Sequence, residues 1–145
     1  MTEIWVVSAN DRRARILRTD SRTGPLTEIA DLVHPIARMK ESEFVTDRPG
    51  RAFDSLGKGR HAMSSQVDAK RQEEIRFAKE VIDRLEQGRT SGAFERLAVV
   101  ASPAFLGHLR DTMSAALRTK VVLELDKDYT ALPADELRAH LPERL

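Results

Sequence analysis

The sequence predicts an α/β fold with a mixed five-stranded sheet flanked by helices. Two continuous apolar runs, at residues 4–9 and 97–101, are typical of central strands that are buried on both faces. Between them, residues 69–87 show the 3.6-residue spacing of an amphipathic helix. Three strands at the start, followed by alternating helices and strands, predict an antiparallel meander that continues into βαβ units.

Short turn signals separate the first three strands. An Asn-Asp pair and a Gly-Pro pair place these strands at residues 4–9, 14–19 and 26–33. If Arg13 and Arg15 share one strand face, they could form a basic ridge for RNA or for acidic partners. The alternative is a polar face on an edge strand.

The second half alternates helices and strands. Asp68 is predicted to cap the helix at residues 69–87, and a Ser-Pro pair after the strand at 97–101 is a favourable start for the next helix. That helix is expected to run to Leu109 and to resume over residues 111–117, and a last strand and a short helix follow at 121–125 and 133–141. The apolar residues expected on the buried side of the long helix are Ile75, Ala78, Val81, Ile82 and Leu85.

Composition favours a single domain, residues 1–145, in the cytoplasm. The chain has 145 residues and a formal charge of +1, so any attraction to nucleic acid must come from local patches. It has no cysteine, which excludes disulfides and thiolate metal sites and suits a reducing compartment. No apolar run approaches the ~20 residues that span a bilayer, and the first residues lack the pattern of a signal peptide.

A long loop at about residues 35–67 has no periodicity, and loops of this length are often functional. Its basic part, residues 47–63, is predicted to be the working surface. Glycines there let the backbone approach an anion, arginines can grip a phosphate with two hydrogen bonds, and a phenylalanine could stack on a base. A solvated loop is the alternative. The predicted RNA- or ligand-binding residues are Arg48, Arg51, Phe53, Gly57, Lys58, Gly59, Arg60, His61 and Arg71.

Three stretches resemble the bacterial host attachment proteins, which are described as required for attachment to host cells. They are HPIARMKESEFVTDRPGRAFDSLGKGRHAM, ASPAFLGHLR and LDKDYTALPADELRAHL. More distantly, the order of elements resembles the ribonuclease H-like fold and the central domain of archaeal and eukaryotic class-one release factors and Pelota. This resemblance implies RNA, in a ribosomal setting, as the partner. The release-factor loop carries Gly-Gly-Gln, whereas residues 57–60 here read Gly-Lys-Gly-Arg, so peptide release is not expected.

Catalytic and metal sites have weaker signals. The loop misses the spacing of a P-loop, the first strand has no acid for a two-metal nuclease, and the four histidines are too far apart for a metal motif. No cofactor is expected. Asp126 and Asp128 could hold a cation weakly, but a solvated turn is the simpler interpretation. His61 is a weak candidate for acid–base catalysis.

The function predicted is a non-catalytic protein that contacts RNA or the ribosome through the basic loop. Two alternatives stay open. One is a small hydrolase that uses the same loop with His61 or Arg60. The other is an adaptor whose loop and long helix, with Arg71 and Arg76, meet an acidic protein partner. A cytoplasmic protein would influence attachment to host cells indirectly.

Overall fold

The computed structural model describes the backbone of residues 3–35 and 59–145 and the side chains of residues 3–35 and 67–145. The strands are β1 (Ile4–Ala9), β2 (Arg13–Thr19), β3 (Thr27–Val33), β4 (Arg96–Ala101) and β5 (Val121–Leu125). The helices in these ranges are α1 (Gly59–Thr90), α2 (Pro103–Thr112), α3 (Ala115–Arg118) and α4 (Ala134–Ala139).

The described strands form one mixed sheet in the order β3-β2-β1-β4-β5. β1 pairs antiparallel with β2, and β2 pairs antiparallel with β3. β1 and β4 are parallel, as are β4 and β5. The predicted α/β class, with a meander that leads into βαβ units, is therefore confirmed. The two apolar runs form the central strands β1 and β4, where almost every side chain is buried.

Alternate residues of β1 enter two different apolar clusters, because successive side chains of a strand point to opposite faces. Trp5 and Val7 pack on the face covered by α1, α2 and α3. Ile4 and Val6 pack on the other face, against the C-terminal part of the chain, including Leu137 of α4. The sheet thus lies between two layers. None of the described helices is long and apolar enough to cross a membrane.

The start of α1 differs from the prediction. The helix begins at Gly59 rather than at residue 69, so Asp68 lies inside it and is not its cap, and the last part of the predicted loop, residues 59–67, is helical. The buried side is also shifted. Ile75 is 38% exposed, whereas Phe77 is 1% exposed. Which of the two side chains is buried depends on which one contacts the sheet and α2. The spacing of apolar residues along the sequence does not predict this contact.

Two of the three arginines of β2, Arg13 and Arg15, form hydrogen bonds within the fold. β2 is an inner strand, so the prediction of a polar face on an edge strand was wrong. Arg13 donates two hydrogen bonds to the Asp31 carboxylate, at 3.0 and 2.8 Å. Arg15 is buried, pairs with Glu28 and donates to the backbone oxygen of Thr130. Their guanidinium groups already have acidic partners on β3 and do not form an unpaired basic ridge.

The start of α2 agrees in part with its prediction. Pro103 stands in the first turn, as expected from the Ser-Pro pair, and Phe105 and Leu106 are buried. Ser102 occupies the cap position, but its side chain makes no capping hydrogen bond. The helix ends at Thr112, and only the single turn of α3 follows it before β5.

Candidate binding surface on the N-terminal half of α1

The structure places part of the predicted site on one helix. Gly59, Arg60 and His61 form the first turn of α1, on the same helix as Arg71. Their backbone is helical, and of these four residues only Arg71 has a described side chain. The predicted site residues that lie outside the described residues are Arg48, Arg51, Phe53, Gly57 and Lys58.

The described side chains in the first half of α1 are exposed as far as Gln72. Every side chain from Val67 to Gln72 is exposed, and none of them makes a hydrogen bond or ion pair with another described residue. From residue 67 onward, where the side chains of the helix are described, the first buried one is Phe77. Residues 59–72 correspond to roughly 21 Å of helix at 1.5 Å per residue. Within this segment, the side chains that are described, from Val67 to Gln72, are all open to solvent.

One strip of α1 changes character along the helix. The strip consists of residues spaced three or four positions apart, which therefore lie on one side of the helix. They are Val67, Arg71, Glu74, Ala78 and Ile82. Ala78 and Ile82 are buried in the core, whereas Val67 is 66% exposed and Arg71 is exposed. The side that faces the core in the second half of the helix is therefore open over Val67 and Arg71. We call the segment Val67–Gln72 the open segment.

A row of four aromatic rings fixes α1 just after the open segment. The His34 ring stacks on Phe77, with 5.0 Å between centroids and 19° between planes. Phe77 lies 5.7 Å from Phe105, and Phe105 meets the edge of His108 at 6.3 Å. The row joins the end of β3 to α1 and α2, and it gives the helix a rigid base. This row could not be predicted from the sequence, because only Phe105 and His108, at i and i+3 on α2, have a spacing that indicates a contact.

Both histidines of this row also contact glutamates of α1. His34 Nδ1 lies 3.1 Å from the backbone oxygen of Asp11, which assigns the proton to Nδ1 and leaves Nε2 4.0 Å from the Glu73 carboxylate. His108 Nε2 lies 3.4 Å from the Glu74 carboxylate. His34 thus lies just after the end of β3 with a satisfied hydrogen bond. These contacts fix the helix immediately after the open segment.

Cations of α1 differ in whether an acid neutralises them. Arg76 pairs with Glu73 at 2.6 Å, so part of its charge is neutralised within the helix. Lys70 and Arg71 have no acidic partner among the described residues. An unpaired guanidinium can still give both of its parallel N–H groups to a phosphate or carboxylate. Of the two arginines predicted to meet an acidic partner, Arg71 is the one without an acidic partner among the described residues.

The acidic turn after β5 is held by protein donors. Asn10 Nδ2 donates to the Asp128 carboxylate at 3.0 Å, and the Thr130 backbone and hydroxyl donate to it at 3.1 and 2.7 Å. Burial raises the pKa of Asp128, but these hydrogen bonds together outweigh burial and leave that pKa below its usual range. Asp126 is exposed and forms no described hydrogen bond or ion pair. Over the described residues, no three side chains of the His, Asp or Glu type are grouped to hold a metal ion.

Comparison with protein families gives one match over most of the sequence. Residues 5–141 match the family described as "Protein required for attachment to host cells". The chain belongs to this family. The resemblance carried by the three sequence stretches is therefore confirmed. Among curated proteins, no significant match is found.

The solved structures that resemble the fold include two with low identity and low TM-scores. One is an archaeal translation termination factor, aRF1, with a TM-score of 0.49 and 12% identity. The other is the Ppx/GppA phosphatase of Aquifex aeolicus, with a TM-score of 0.44 and 12% identity. The alignments cover 97% and 86% of this chain but only 35% of each of the other chains. Likenesses at this level do not support a statement about activity or partners.

Proposed function

We propose that the protein binds RNA through the N-terminal half of α1 and the basic segment that precedes it. The observation that carries the proposal is the open segment, where Lys70 and Arg71 are exposed and have no acidic partner among the described residues. The same helix begins with Gly59 and Arg60. The cations predicted to bind RNA are therefore divided between this helix and the residues just before it.

The charge distribution favours this surface over the molecule as a whole. The formal charge of the chain is only +1, so long-range attraction is weak and local cations must supply the affinity. Residues 48–61 contain four arginines or lysines and one acid, Asp54. Contacts with the phosphate backbone need such cations, whereas Phe53 could stack on an unpaired base. This combination suits single-stranded RNA better than an acidic small molecule.

The base of the helix supports the same proposal. A binding element on a rigid support loses less conformational entropy when it binds than a loop does. The row of rings from His34 to His108 and the contacts of Glu73 and Glu74 hold α1 directly behind the open segment. Lys70 and Arg71 therefore present their charges from a fixed helix.

The test is the salt dependence of RNA binding. Fluorescence anisotropy with a labelled single-stranded RNA is measured from 50 to 300 mM salt, for wild type and for the Lys70→Gln/Arg71→Gln double variant. Removing one interaction with a phosphate should reduce the slope of log K against log salt by about 0.7. We expect the double variant to bind more weakly, with a slope that corresponds to roughly one or two fewer neutralised phosphates.

Arg84→Gln is the matched control, because Arg84 is an exposed arginine of α1 without a described partner. It should bind RNA like wild type. A second variant, Arg51→Ala/Arg60→Ala, tests the cations before the open segment and should also weaken binding. Absence of RNA binding by wild type at low salt, or equally weakened binding in the double variant and in Arg84→Gln, would contradict the proposal.

A second candidate function is suggested by Val67, which is 66% exposed beside Arg71. An apolar side chain next to an unpaired arginine suits an acidic amphipathic helix of a protein partner. Val67→Ser distinguishes the two functions. It should leave RNA binding unchanged if phosphate contacts dominate, and it should weaken binding of an acidic amphipathic peptide if the protein is an adaptor.

The family description names attachment to host cells, and we place this protein's contribution in the cytoplasm. An RNA-binding protein there would influence attachment indirectly, through the synthesis of other proteins. The hydrolase alternative depends on His61, whose side chain lies outside the described set, and it stays a prediction. Loss of turnover of a generic ester in His61→Ala would favour that alternative.

A further inference from the structure

Both edge strands of the sheet have one side without a partner among the described residues. β5 pairs only with β4, and β3 pairs only with β2. Along the free side of such a strand, alternate backbone N–H and C=O groups point away from the sheet and can bind a further strand. Addition of a strand to a sheet edge is a recurring mode of recognition between proteins. The side chains of the two edges show which of them is suited to a partner.

β5 carries an exposed apolar side chain at an irregular position of the sheet. The register of β4 against β5 shifts at this point, so Val122 has no counterpart on β4. Its side chain is 41% exposed. Burial of apolar surface contributes about 25 cal/mol per Å². A further strand beside β5 would therefore gain free energy by covering Val122.

The charge changes sign along β5. Arg118 and Lys120 precede the strand, and neither forms an ion pair with a described residue. Arg118 donates to the backbone oxygen of Arg110, at 2.8 Å, which leaves its charge uncompensated. Asp126 follows the strand, is exposed and also forms no ion pair with a described residue. Residues 124–128 contain three acids and one lysine. The basic start and the acidic end of β5 are therefore complementary to those of an antiparallel copy of the same strand.

β3 lacks this change of sign. It contains two acids, Glu28 and Asp31, and no cation. These acids pair with arginines of the neighbouring strand β2. Two antiparallel copies of β3 would therefore bring no opposite charges together. Ile29 of β3 otherwise resembles Val122, because it is 40% exposed and has no counterpart on β2. The edge formed by β3 is thus a matched control within the same chain.

A groove of about 230 Å³ lies beside β5, on the side of the sheet that α2 and α3 cover. Two of the residues that line it, Arg110 and Glu124, form an ion pair at 3.0 Å. Met113 and Val121 provide apolar surface in the same groove. A strand added to β5 would extend the sheet beneath this groove, and its side chains would add contacts to the backbone hydrogen bonds. One short strand and a small groove form a small interface, so we expect a weak association.

We propose that β5 pairs antiparallel with β5 of a second copy of this chain, so that the two sheets join into one continuous sheet. In a symmetric dimer that pairs all of Val121–Leu125, the middle residue Leu123 faces its own copy. Lys120 then faces Asp126 of the partner subunit, and Val122 faces Glu124 of the partner subunit. Each of these pairs occurs twice. The proposal does not depend on RNA binding.

The test is sedimentation equilibrium of the ribonuclease-treated full chain at low salt, over a hundredfold range of protein concentration. We expect a monomer–dimer equilibrium that weakens as salt is raised, because salt screens the exposed charge pairs. Val122→Glu should weaken dimerisation at least tenfold, since it removes an apolar contact and places a carboxylate opposite Glu124 of the partner subunit. The matched control Ile29→Glu, on the other edge, should dimerise like wild type.

Charge reversal at two positions outside the strand tests the antiparallel arrangement directly. Lys120→Glu and Asp126→Lys should each weaken self-association, because each brings like charges together. An equimolar mixture of these two variants should form heterodimers, since the two changes place opposite charges against each other again. The double variant Lys120→Glu/Asp126→Lys should dimerise like wild type.

Three results would overturn the proposal. The first is wild type that stays monomeric at all concentrations, which would leave this edge to a strand of another protein. The second is equal weakening of dimerisation by Val122→Glu and Ile29→Glu. The third applies even if Val122→Glu does not fold, and it is a mixture of Lys120→Glu and Asp126→Lys that associates no better than either variant alone.

Discussion

Two glycines in helices should respond in opposite ways to the same substitution. Gly88 lies near the end of α1, and Gly107 lies in the middle of α2. A Cβ atom added at Gly88 would lie 2.6 Å from two ring carbons of Trp5 and 3.0 Å from a ring carbon of Phe94. A Cβ atom at Gly107 would have no heavy atom within 4 Å. We expect Gly88→Ala to destabilise the protein and Gly107→Ala to stabilise it.

The magnitudes follow from two opposing effects. Replacing glycine by alanine inside a helix gains about 0.5–1 kcal/mol, and at Gly107 nothing opposes this gain. At Gly88 the rings must move by roughly 1 Å to reach an ordinary carbon–carbon contact of about 3.5 Å. Trp5 and Phe94 are 8% and 2% exposed, and their ring centroids lie 4.8 Å apart. Both rings are therefore packed in the core and cannot move aside as the end of a flexible side chain would. Overpacking of this kind costs about 1–3 kcal/mol, which exceeds the gain.

The assay is thermal and urea unfolding followed by circular dichroism. For a chain of this length, 1 kcal/mol corresponds to a shift in Tm of roughly 3 °C. Gly107→Ala should raise Tm by roughly 1–3 °C. Gly88→Ala should lower it by several degrees, with an unchanged urea m value. The packing of Trp5 and Phe94 around Gly88 would be refuted if both variants were stabilised, or if Gly88→Ala matched wild type.

Two further predictions concern the buried side of α1 and the turn after β5. Phe77→Ala should lower the free energy of unfolding by about 3–5 kcal/mol, because it removes a buried ring. Ile75→Ala should change the free energy of unfolding by no more than about 0.5 kcal/mol. Equal effects of the two variants in urea unfolding would contradict the observed orientation of α1. Asp128 has a lowered pKa in the folded state, so its contribution to stability is fully present above its ordinary value of 3.8 and is lost as pH falls through the lower folded value. The difference in unfolding free energy between wild type and Asp128→Asn should therefore shrink as pH is lowered from 6 to 3. The control is Asp126→Asn, because Asp126 is exposed and forms no described hydrogen bond or ion pair. It should show no such trend with pH. A pH-independent difference for Asp128→Asn would refute the lowered pKa of Asp128 in the folded state.

The sheet could be predicted because its strands are defined by local patterns. β1 and β4 are continuous apolar runs, and Asn-Asp and Gly-Pro turns separate the first three strands. The long helix was predicted only over the part that packs against the sheet and α2. Its first part lacks apolar residues at helical spacing, and the side chains from Val67 to Gln72 are exposed. A prediction from the spacing of apolar residues therefore places the start of the helix too far along the chain. Helix formation there depends on backbone propensity, which gives a weaker signal.

The surroundings of the candidate site depend on contacts between distant residues. His34 meets Phe77 across the end of β3 and α1, and Arg15 reaches the backbone oxygen of Thr130. Neither contact leaves a periodic signal, because the partners lie on separate elements. The pairing of Arg13 with Asp31 likewise follows from the register of β2 and β3. Sequence composition could therefore locate basic residues but could not show which of them already have acidic partners.

Ribosome co-sedimentation from a cell lysate tests RNA binding by the N-terminal half of α1 most directly. Wild type, Lys70→Gln/Arg71→Gln and Arg84→Gln are compared at low salt, with and without ribonuclease. The account predicts that wild type and Arg84→Gln sediment with the RNA-rich fraction, that ribonuclease releases them, and that the double variant stays largely in the supernatant. Wild type that stays in the supernatant, or sedimentation of all three proteins that ribonuclease does not change, would contradict it.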